Sequence, residues 1–156
     1  MKQEELKAWQ PDQFDRFVRI LEQDQLNHAY LFSGFFGSLE MAQFLAKSLF
    51  CRDKVGVLPC EKCRNCKLIE QEEFPDVTLI KPVNQVIKTE RIRELVGQFS
   101  QAGIESQQQV FIIEQAEKMH PNAANSLLKV IEEPQSDVYI FFLTSDEEKI
   151  LPTIRS

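Results

Sequence analysis

Several features that would assign a protein class at once are missing from this sequence of 156 residues. No uncharged run approaches the roughly 20 apolar residues that a membrane-spanning helix requires. The opening residues 1–7 carry charges where a secretory signal would be apolar. Lys and Arg are outnumbered by Asp and Glu, which gives a formal net charge of −6, and they form no basic stripe. We therefore expect a cytoplasmic protein with no membrane partner and no autonomous nucleic-acid-binding surface.

Internal repeats and low-complexity tracts are also absent, and histidine occurs only twice. Neither His28 nor His120 has neighbours with metal-ligand spacing, so both are interpreted as structural. With 43% hydrophobic residues, the chain is long enough to bury one core but not to form two full domains. We therefore predict a single domain over residues 1–156.

Four short apolar runs alternate with longer segments of helical period. The runs cover residues 29–32, 77–80, 110–113 and 138–143, and the helical segments include residues 39–50, 89–101 and 121–133. Apolar residues at helical spacing after Pro11 predict that the chain opens with helices. This alternation is typical of an α/β fold in which a parallel sheet carries helices on both faces.

A degenerate phosphate-binding loop follows the first apolar run. A working loop reads Gly, four residues, Gly-Lys-Ser/Thr, because backbone amides cradle phosphates, lysine neutralises them and the hydroxyl holds magnesium. Here two glycines are retained, and a serine follows the second of them. The next three residues are leucine in place of the second essential glycine, glutamate in place of the lysine and methionine in place of the hydroxyl residue. These positions are Gly34, Gly37, Ser38, Leu39, Glu40 and Met41.

The charge at position 40 decides the expected chemistry. At roughly 4 Å and an effective dielectric near 20, one charge pair is worth about 4 kcal/mol, so glutamate for lysine turns attraction into comparable repulsion. We therefore expect no ATP as cofactor. An ordinary strand-to-helix turn that contains two glycines explains this segment equally well.

A second acidic motif is also altered. Nucleotide-hydrolysing domains follow a buried strand with Asp-Glu, which binds magnesium and polarises the attacking water. The run at 110–113 is followed by Glu114, one methylene longer than aspartate, and by Gln115, which cannot act as a general base. A strand followed by a polar helix cap is the alternative. The two degraded halves together predict a scaffold with no catalytic residues.

All four cysteines lie in one segment with the spacing Cys-x8-Cys-x2-Cys-x2-Cys. They are Cys51, Cys60, Cys63 and Cys66, within an apparent insertion over residues 51–74. Four soft ligands suit tetrahedral zinc in a closed, structural site, and neighbouring cations offset the charge of four thiolates. An iron–sulfur cluster and uncommitted thiols are the alternatives. Docking of a partner is the simplest role for such a module.

In combination, these motifs resemble the delta-prime family of bacterial clamp-loader subunits, which are AAA+ relatives within DNA polymerase III. The resemblance covers most of the chain from residue 28 onward. It rests on residues 28–34, the cysteine segment, and residues 113–119, 125–134 and 151–156. The run Asn-x-Leu-Leu-Lys-x-x-Glu-Glu-Pro at 125–134 is specific to clamp-loader subunits.

The resemblance implies a three-layer P-loop NTPase domain of the AAA+ type that does not hydrolyse ATP. Its expected partners are the gamma/tau and delta subunits of a hetero-pentamer, and through that complex a sliding clamp and primed DNA. The family's arginine that reaches a neighbouring ATP site would follow Ser156, and a helical lid and a collar domain are expected outside this fragment. Thr144 corresponds to the phosphate-sensing region and is interpreted as structural here.

Two other functions remain open at this stage. The chain is alternatively an active clamp-loader ATPase of the gamma/tau kind with divergent motifs. It is alternatively a zinc-dependent nucleic-acid-binding module, although the acidic net charge and the lack of interleaved aromatic residues argue against this. Phe35 and Phe36 either fill the vacated loop or contact a partner, and filling avoids a void. The module's cations are Arg52, Lys54, Lys62, Arg64 and Lys67.

Overall fold

The computed structural model of the protein describes residues 3–33, 37–99, 108–132 and 138–145. The helices are α1 (Gln3–Trp9), α2 (Pro11–Glu22), α3 (Ser38–Phe50), α4 (Arg64–Glu70), α5 (Thr89–Phe99) and α6 (Pro121–Glu132), with a 3₁₀ turn at Ala116–Lys118. The strands are β1 (Ala29–Ser33), β2 (Val77–Ile80), β3 (Gln109–Ile113) and β4 (Val138–Thr144). Each predicted strand is present, with bounds that differ by at most one residue.

The four strands form one sheet in the order β1-β4-β3-β2, and all neighbouring strands are parallel. Each parallel connection needs a crossover segment, which the intervening helices supply. The predicted α/β fold with a parallel sheet is therefore confirmed. Helix α4 was not predicted, because cysteines and charges mask its apolar spacing.

Two apolar layers cover the two faces of this sheet. In β3, Val110 and Ile112 pack toward α1, α2, α3 and α4, whereas Phe111 and Ile113 pack toward α5 and α6. The two-residue alternation of a strand sends successive side chains to opposite faces, so a fully buried strand reads as a continuous apolar run. The described residues thus form a helix–sheet–helix sandwich.

The parallel arrangement brings the carboxyl ends of β1, β3 and β4 to one edge of the sheet, where α3 begins after β1. Helix α1 packs beside this point, and its Leu6 is only 1% exposed. None of the helices in the described ranges combines the length and apolarity that crossing a membrane requires.

Candidate functional sites at the two ends of α3

A pocket of about 210 Å³ lies at the carboxyl edge of the sheet, beside the first turn of α3. Open α/β sheets bind ligands at this edge. The structure brings the two predicted motif halves together here. The pocket is lined by Ser38, Leu39, Glu114, Gln115, Leu143, Thr144 and Ser145. The predicted positions Gly34, Phe35 and Phe36, and the matching tail at 151–156, lie outside the described residues.

Gly37 is the N-cap of α3 and has a left-handed backbone with φ of 82°. A Cβ at this position would lie 2.7 Å from Nε2 of Gln10 and 3.7 Å from Cδ1 of Leu6. Glycine is therefore favoured by its conformation, and a Cβ would also require the end of the Gln10 side chain to move. This contact places an amide side chain next to the start of α3.

Two of the substituted loop residues belong to the hydrophobic core. Met41 stands where a working loop needs a magnesium-binding hydroxyl, but it is 1% exposed and packs among the apolar residues under the sheet. Leu39 is partly buried against the same cluster. These side chains therefore contribute to packing at positions where phosphate chemistry requires a hydroxyl and a bare backbone.

Carboxylates dominate the electrostatics around the pocket. Burial raises the pKa of Glu114, and repulsion from Glu72 and Glu40 raises it further, while Lys81 opposes the shift. The Lys81 ammonium lies 3.9 Å from the Glu114 carboxylate and 3.8 Å from that of Glu72. Lys81 thus lies near two carboxylates, and Glu40 adds a negative charge that acts on Glu114, a balance that disfavours a triphosphate.

The remaining polar groups of this edge bond to one another. Gln115 has a left-handed backbone with φ of 50° and begins the 3₁₀ turn, where its carbonyl accepts from the Lys118 N–H at 2.8 Å. Thr144 is 3% exposed and donates its hydroxyl to Glu117 Oε1 at 2.6 Å. This bond ties β4 to the 3₁₀ turn, in agreement with a structural role for Thr144. Sequence reasoning missed Glu117, which carries no distinctive spacing.

The four cysteine Sγ atoms meet at the other end of α3, all within 4.8 Å of one another. Cys51 is the C-cap of α3, Cys63 is the N-cap of α4, and Cys66 lies in the first turn of α4. A single tetrahedral zinc with Zn–S bonds near 2.3 Å separates its sulfurs by about 3.8 Å. An iron–sulfur cluster places several atoms between its thiolates and separates them more widely. The cluster therefore has the dimensions for one metal ion.

Backbone N–H groups point at the sulfurs. Cys51 Sγ accepts from the Cys60 N–H at 3.2 Å, and Cys60 Sγ accepts from the Lys62 and Cys63 N–H groups at 3.3 and 3.2 Å. Burial works against ionisation of Cys63, but backbone N–H groups of Arg52 and Cys66 and the neighbouring thiols lower the pKa of Cys63 to about 6. Burial raises the pKa of Cys51 and Cys66. A bound divalent ion would ionise these remaining thiols.

The cysteine segment is packed onto the domain. Asn65 is buried and donates its Nδ2 to the Phe50 carbonyl at 2.8 Å, which fixes α4 to the end of α3. The rings of Phe50 and Phe74 lie 4.9 Å apart, and Ile69 is 1% exposed. By contrast, the loop between Cys51 and Cys60 extends into solvent, where the Val55 side chain is 73% exposed.

A buried ammonium, which sequence reasoning missed, lies beneath this segment. The Lys47 side chain is 3% exposed and lies 3.5 Å from Glu61 Oε1 and 3.7 Å from Glu70 Oε2. The same Glu61 oxygen accepts the backbone N–H of Gln3 at 3.0 Å. The signal in the sequence is a single charged residue within the apolar run of α3, between Ala46 and Ser48, both of which are buried.

Comparison with known proteins gives consistent results. A family model described as "DNA polymerase III, delta subunit" matches residues 9–156. The chain is 43% identical over 154 residues to the "DNA polymerase III subunit delta'" of Bacillus subtilis (strain 168), covering 97% of the chain and 46% of that protein. It is 36% identical to the "DNA polymerase III subunit tau/gamma" of Haemophilus influenzae, covering 87% of the chain and 20% of that protein. The chain thus spans less than half the length of these relatives.

A solved structure shares the fold. It is a "dna polymerase iii, gamma subunit-related protein" of Thermotoga maritima, with a TM-score of 0.62 and 20% sequence identity. The match covers 94% of this chain and 43% of that one. At this level of identity the likeness concerns the fold alone.

Proposed function

This chain belongs to the family described as DNA polymerase III, delta subunit, and from this premise we propose that it is part of a delta-prime clamp-loader subunit that does not hydrolyse ATP. In this function a catalytically silent AAA+ domain, comprising residues 1–156, presents a rigid face to an ATPase neighbour. Its helical lid and collar domain lie elsewhere in the full subunit.

The proposal rests on the side chains around the pocket at the carboxyl edge of the sheet, whose charges are opposite to those that nucleotide binding needs. Glu40 and Glu114 repel each other where a nucleotide would need a cation, and Met41 is a core residue. Gln115 has no carboxylate with which to activate water. Among the described residues, the positions of the loop lysine, the loop hydroxyl and the general base therefore carry side chains that are unsuited to these roles.

The cysteine cluster is proposed to bind one structural zinc ion through Cys51, Cys60, Cys63 and Cys66. Sulfur separations within 4.8 Å and the N–H···S bonds support a closed four-thiolate site. Bound zinc would cross-link the cysteine segment. Because all four coordination positions would be filled by thiolates, none would remain open for catalysis.

The proposed assembly is a hetero-pentamer with gamma/tau and delta subunits that opens a sliding clamp and closes it around primed DNA. Support comes from the delta-prime and tau/gamma names of the curated relatives and from the residues at positions 40, 41 and 115, which differ from those of a working ATP site. In such an assembly the neighbouring subunits hydrolyse ATP. A cytoplasmic location follows from the proposed role in replication.

Isothermal titration with Mg-ATP tests whether the domain binds nucleotide, with the Haemophilus tau/gamma relative as a control for binding. We expect no heat of binding and no ATPase activity from this protein. Micromolar binding, with turnover that a Gln115→Ala substitution abolishes, would instead support an active ATPase of the gamma/tau kind. The similarity to the tau/gamma relative is the reason for considering this alternative.

Metal analysis of purified protein tests the zinc site, and one zinc per chain is expected. Stoichiometric iron with visible absorption would indicate a cluster, and metal-free protein would leave the thiols uncommitted. Co-purification of the full-length protein with gamma/tau and delta subunits tests the assembly. Failure to associate with either would contradict it.

A further inference from the structure

Glu61 lies inside the metal-binding knuckle, between Cys60 and Cys63. Its backbone is left-handed with φ of 62°, a conformation that residues with a Cβ adopt only when their surroundings impose it. Two N–H···S bonds to Cys60, from Lys62 and Cys63, close the knuckle around it. The path of the chain between the two thiolates therefore determines where the Glu61 carboxylate points.

That carboxylate points away from the sulfurs and into the domain. One oxygen lies 3.5 Å from the Lys47 ammonium of α3 and accepts the Gln3 N–H of α1 at 3.0 Å. The side chain is 12% exposed and the lysine 3% exposed, so solvent screens this contact weakly. A carboxylate at the first turn of a helix also interacts favourably with the helix dipole.

Helix α1 in turn covers the start of α3. Leu6 is 1% exposed within the main core, and both Leu6 and Gln10 approach Gly37. The backbone N–H of Gln10 bonds to the Leu6 carbonyl at 2.9 Å, so the last turn of α1 places the Gln10 side chain beside Gly37. Contacts of α1 thus join the cysteine segment to Gly37, the N-cap of α3.

We propose that the metal centre is a latch for α1: metal binding fixes the knuckle, Glu61 then holds the first turn of α1 against Lys47, and α1 stays over the start of α3. This inference rests on the proposed zinc site. Glu61 is a positioning residue that binds no metal itself. Loss of the metal releases the first turn of α1 while the sheet stays folded, because the knuckle contributes no side chain to either apolar cluster and α1 contributes only Leu6 to one of them.

Hydrogen–deuterium exchange of the intact protein tests the latch, after zinc content has been measured. Removing zinc with a chelator should accelerate exchange in residues 3–10 by roughly tenfold or more, the effect of losing a charge-assisted hydrogen bond. Exchange in β3 should change less than twofold. Trp9, the only tryptophan, is 46% exposed at the end of α1 and gives a fluorescence signal for the same release.

Substitutions separate the latch from general destabilisation. In zinc-loaded Glu61→Ala, α1 should exchange as fast as in the chelated wild type, and chelation should add nothing further. Glu61→Gln keeps an acceptor for the Gln3 N–H and should give an intermediate rate. Lys62→Ala is the matched control, because it changes the neighbouring exposed residue of the same knuckle and should leave α1 protected.

Three outcomes would overturn the latch. These are zinc removal without faster exchange in α1, equal acceleration in α1 and β3, and normal α1 protection in zinc-loaded Glu61→Ala. A protein that never binds zinc would refute the metal site itself, and the zinc measurement identifies that case before any exchange experiment.

Discussion

Replacing Met41 by threonine, the residue that a working phosphate loop would have, is expected to destabilise the fold without creating a magnesium site. Met41 is 1% exposed in the main core. Truncating a buried methionine to alanine costs about 2–5 kcal/mol, through lost burial and a residual cavity. Threonine retains one methyl group of the lost volume.

The threonine hydroxyl adds a second effect. The Met41 N–H already bonds to the Gly37 carbonyl at 2.8 Å, and a hydroxyl at position 41 can reach the same carbonyl one turn back. Its desolvation is therefore partly compensated, and we expect a net loss of about 3 kcal/mol. Small domains have about 5–15 kcal/mol in total, so this is a large fraction.

Urea unfolding of the zinc-loaded protein measures the loss. With a slope of about 2 kcal/mol per molar urea, the midpoint should fall by about 1.5 M. Glu40→Lys is the matched control. It opposes the helix dipole by about 0.3–1 kcal/mol but relieves repulsion with Glu114, so its midpoint should shift by less than about 0.5 M.

A midpoint for Met41→Thr within about 0.3 M of wild type would refute the reasoning, because the loop residue would then be replaceable without structural cost. A larger loss for Glu40→Lys than for Met41→Thr would also contradict it, since charge rather than packing would then limit the change. Either result would leave electrostatics alone as the basis for the proposed lack of nucleotide binding.

Two further predictions concern the same edge of the sheet. Gly37→Ala should cost about 1–2 kcal/mol in urea unfolding, because of the left-handed backbone and the contact with Gln10, and adding Gln10→Ala should recover only the contact part. Glu114→Gln should stabilise the protein at pH 7. Because the folded pKa of Glu114 is raised above its ordinary 4.5, the folded state favours the protonated form, and stability is lost as pH rises from 4.5 through the folded value. Unfolding midpoints for wild type and variant should therefore converge near pH 4, and a constant difference would contradict the assignment.

Much of this fold could be predicted from periodicity, because the strands are buried on both faces. Val110, Phe111, Ile112 and Ile113 are each 2% exposed or less, so the strand reads as an uninterrupted apolar run. Helix α4, in contrast, could not be predicted from periodicity. Its seven residues are too few to show a period, and its stability comes from the Asn65 bond to α3 and from the packing of Ile69.

The candidate sites could likewise be predicted from the sequence only in part. The cysteines could be grouped from the sequence, since Cys60, Cys63 and Cys66 are separated by only two residues each and Cys51 lies in the same segment. The contacts of Glu61 with Lys47 and with Gln3 could not, because they join three separate segments of the chain. Likewise, position 41 could be recognised as chemically unsuitable, but only its burial shows that methionine contributes to the core.

The charges of α3 complement the helix dipole at both ends. In a phosphate-binding loop the free N–H groups and the positive end of the helix dipole are stabilised by the bound anion. Here Gly37 offers no capping side chain, but Glu40 lies in the first turn and supplies a negative charge from within the helix. Lys47 lies in the last turn, where a cation complements the negative end. A lysine at position 40 would oppose the dipole whenever nucleotide was absent. Glutamate removes that dependence, and a domain whose α3 is stabilised by its own charges can hold one shape while its proposed neighbours bind and hydrolyse ATP.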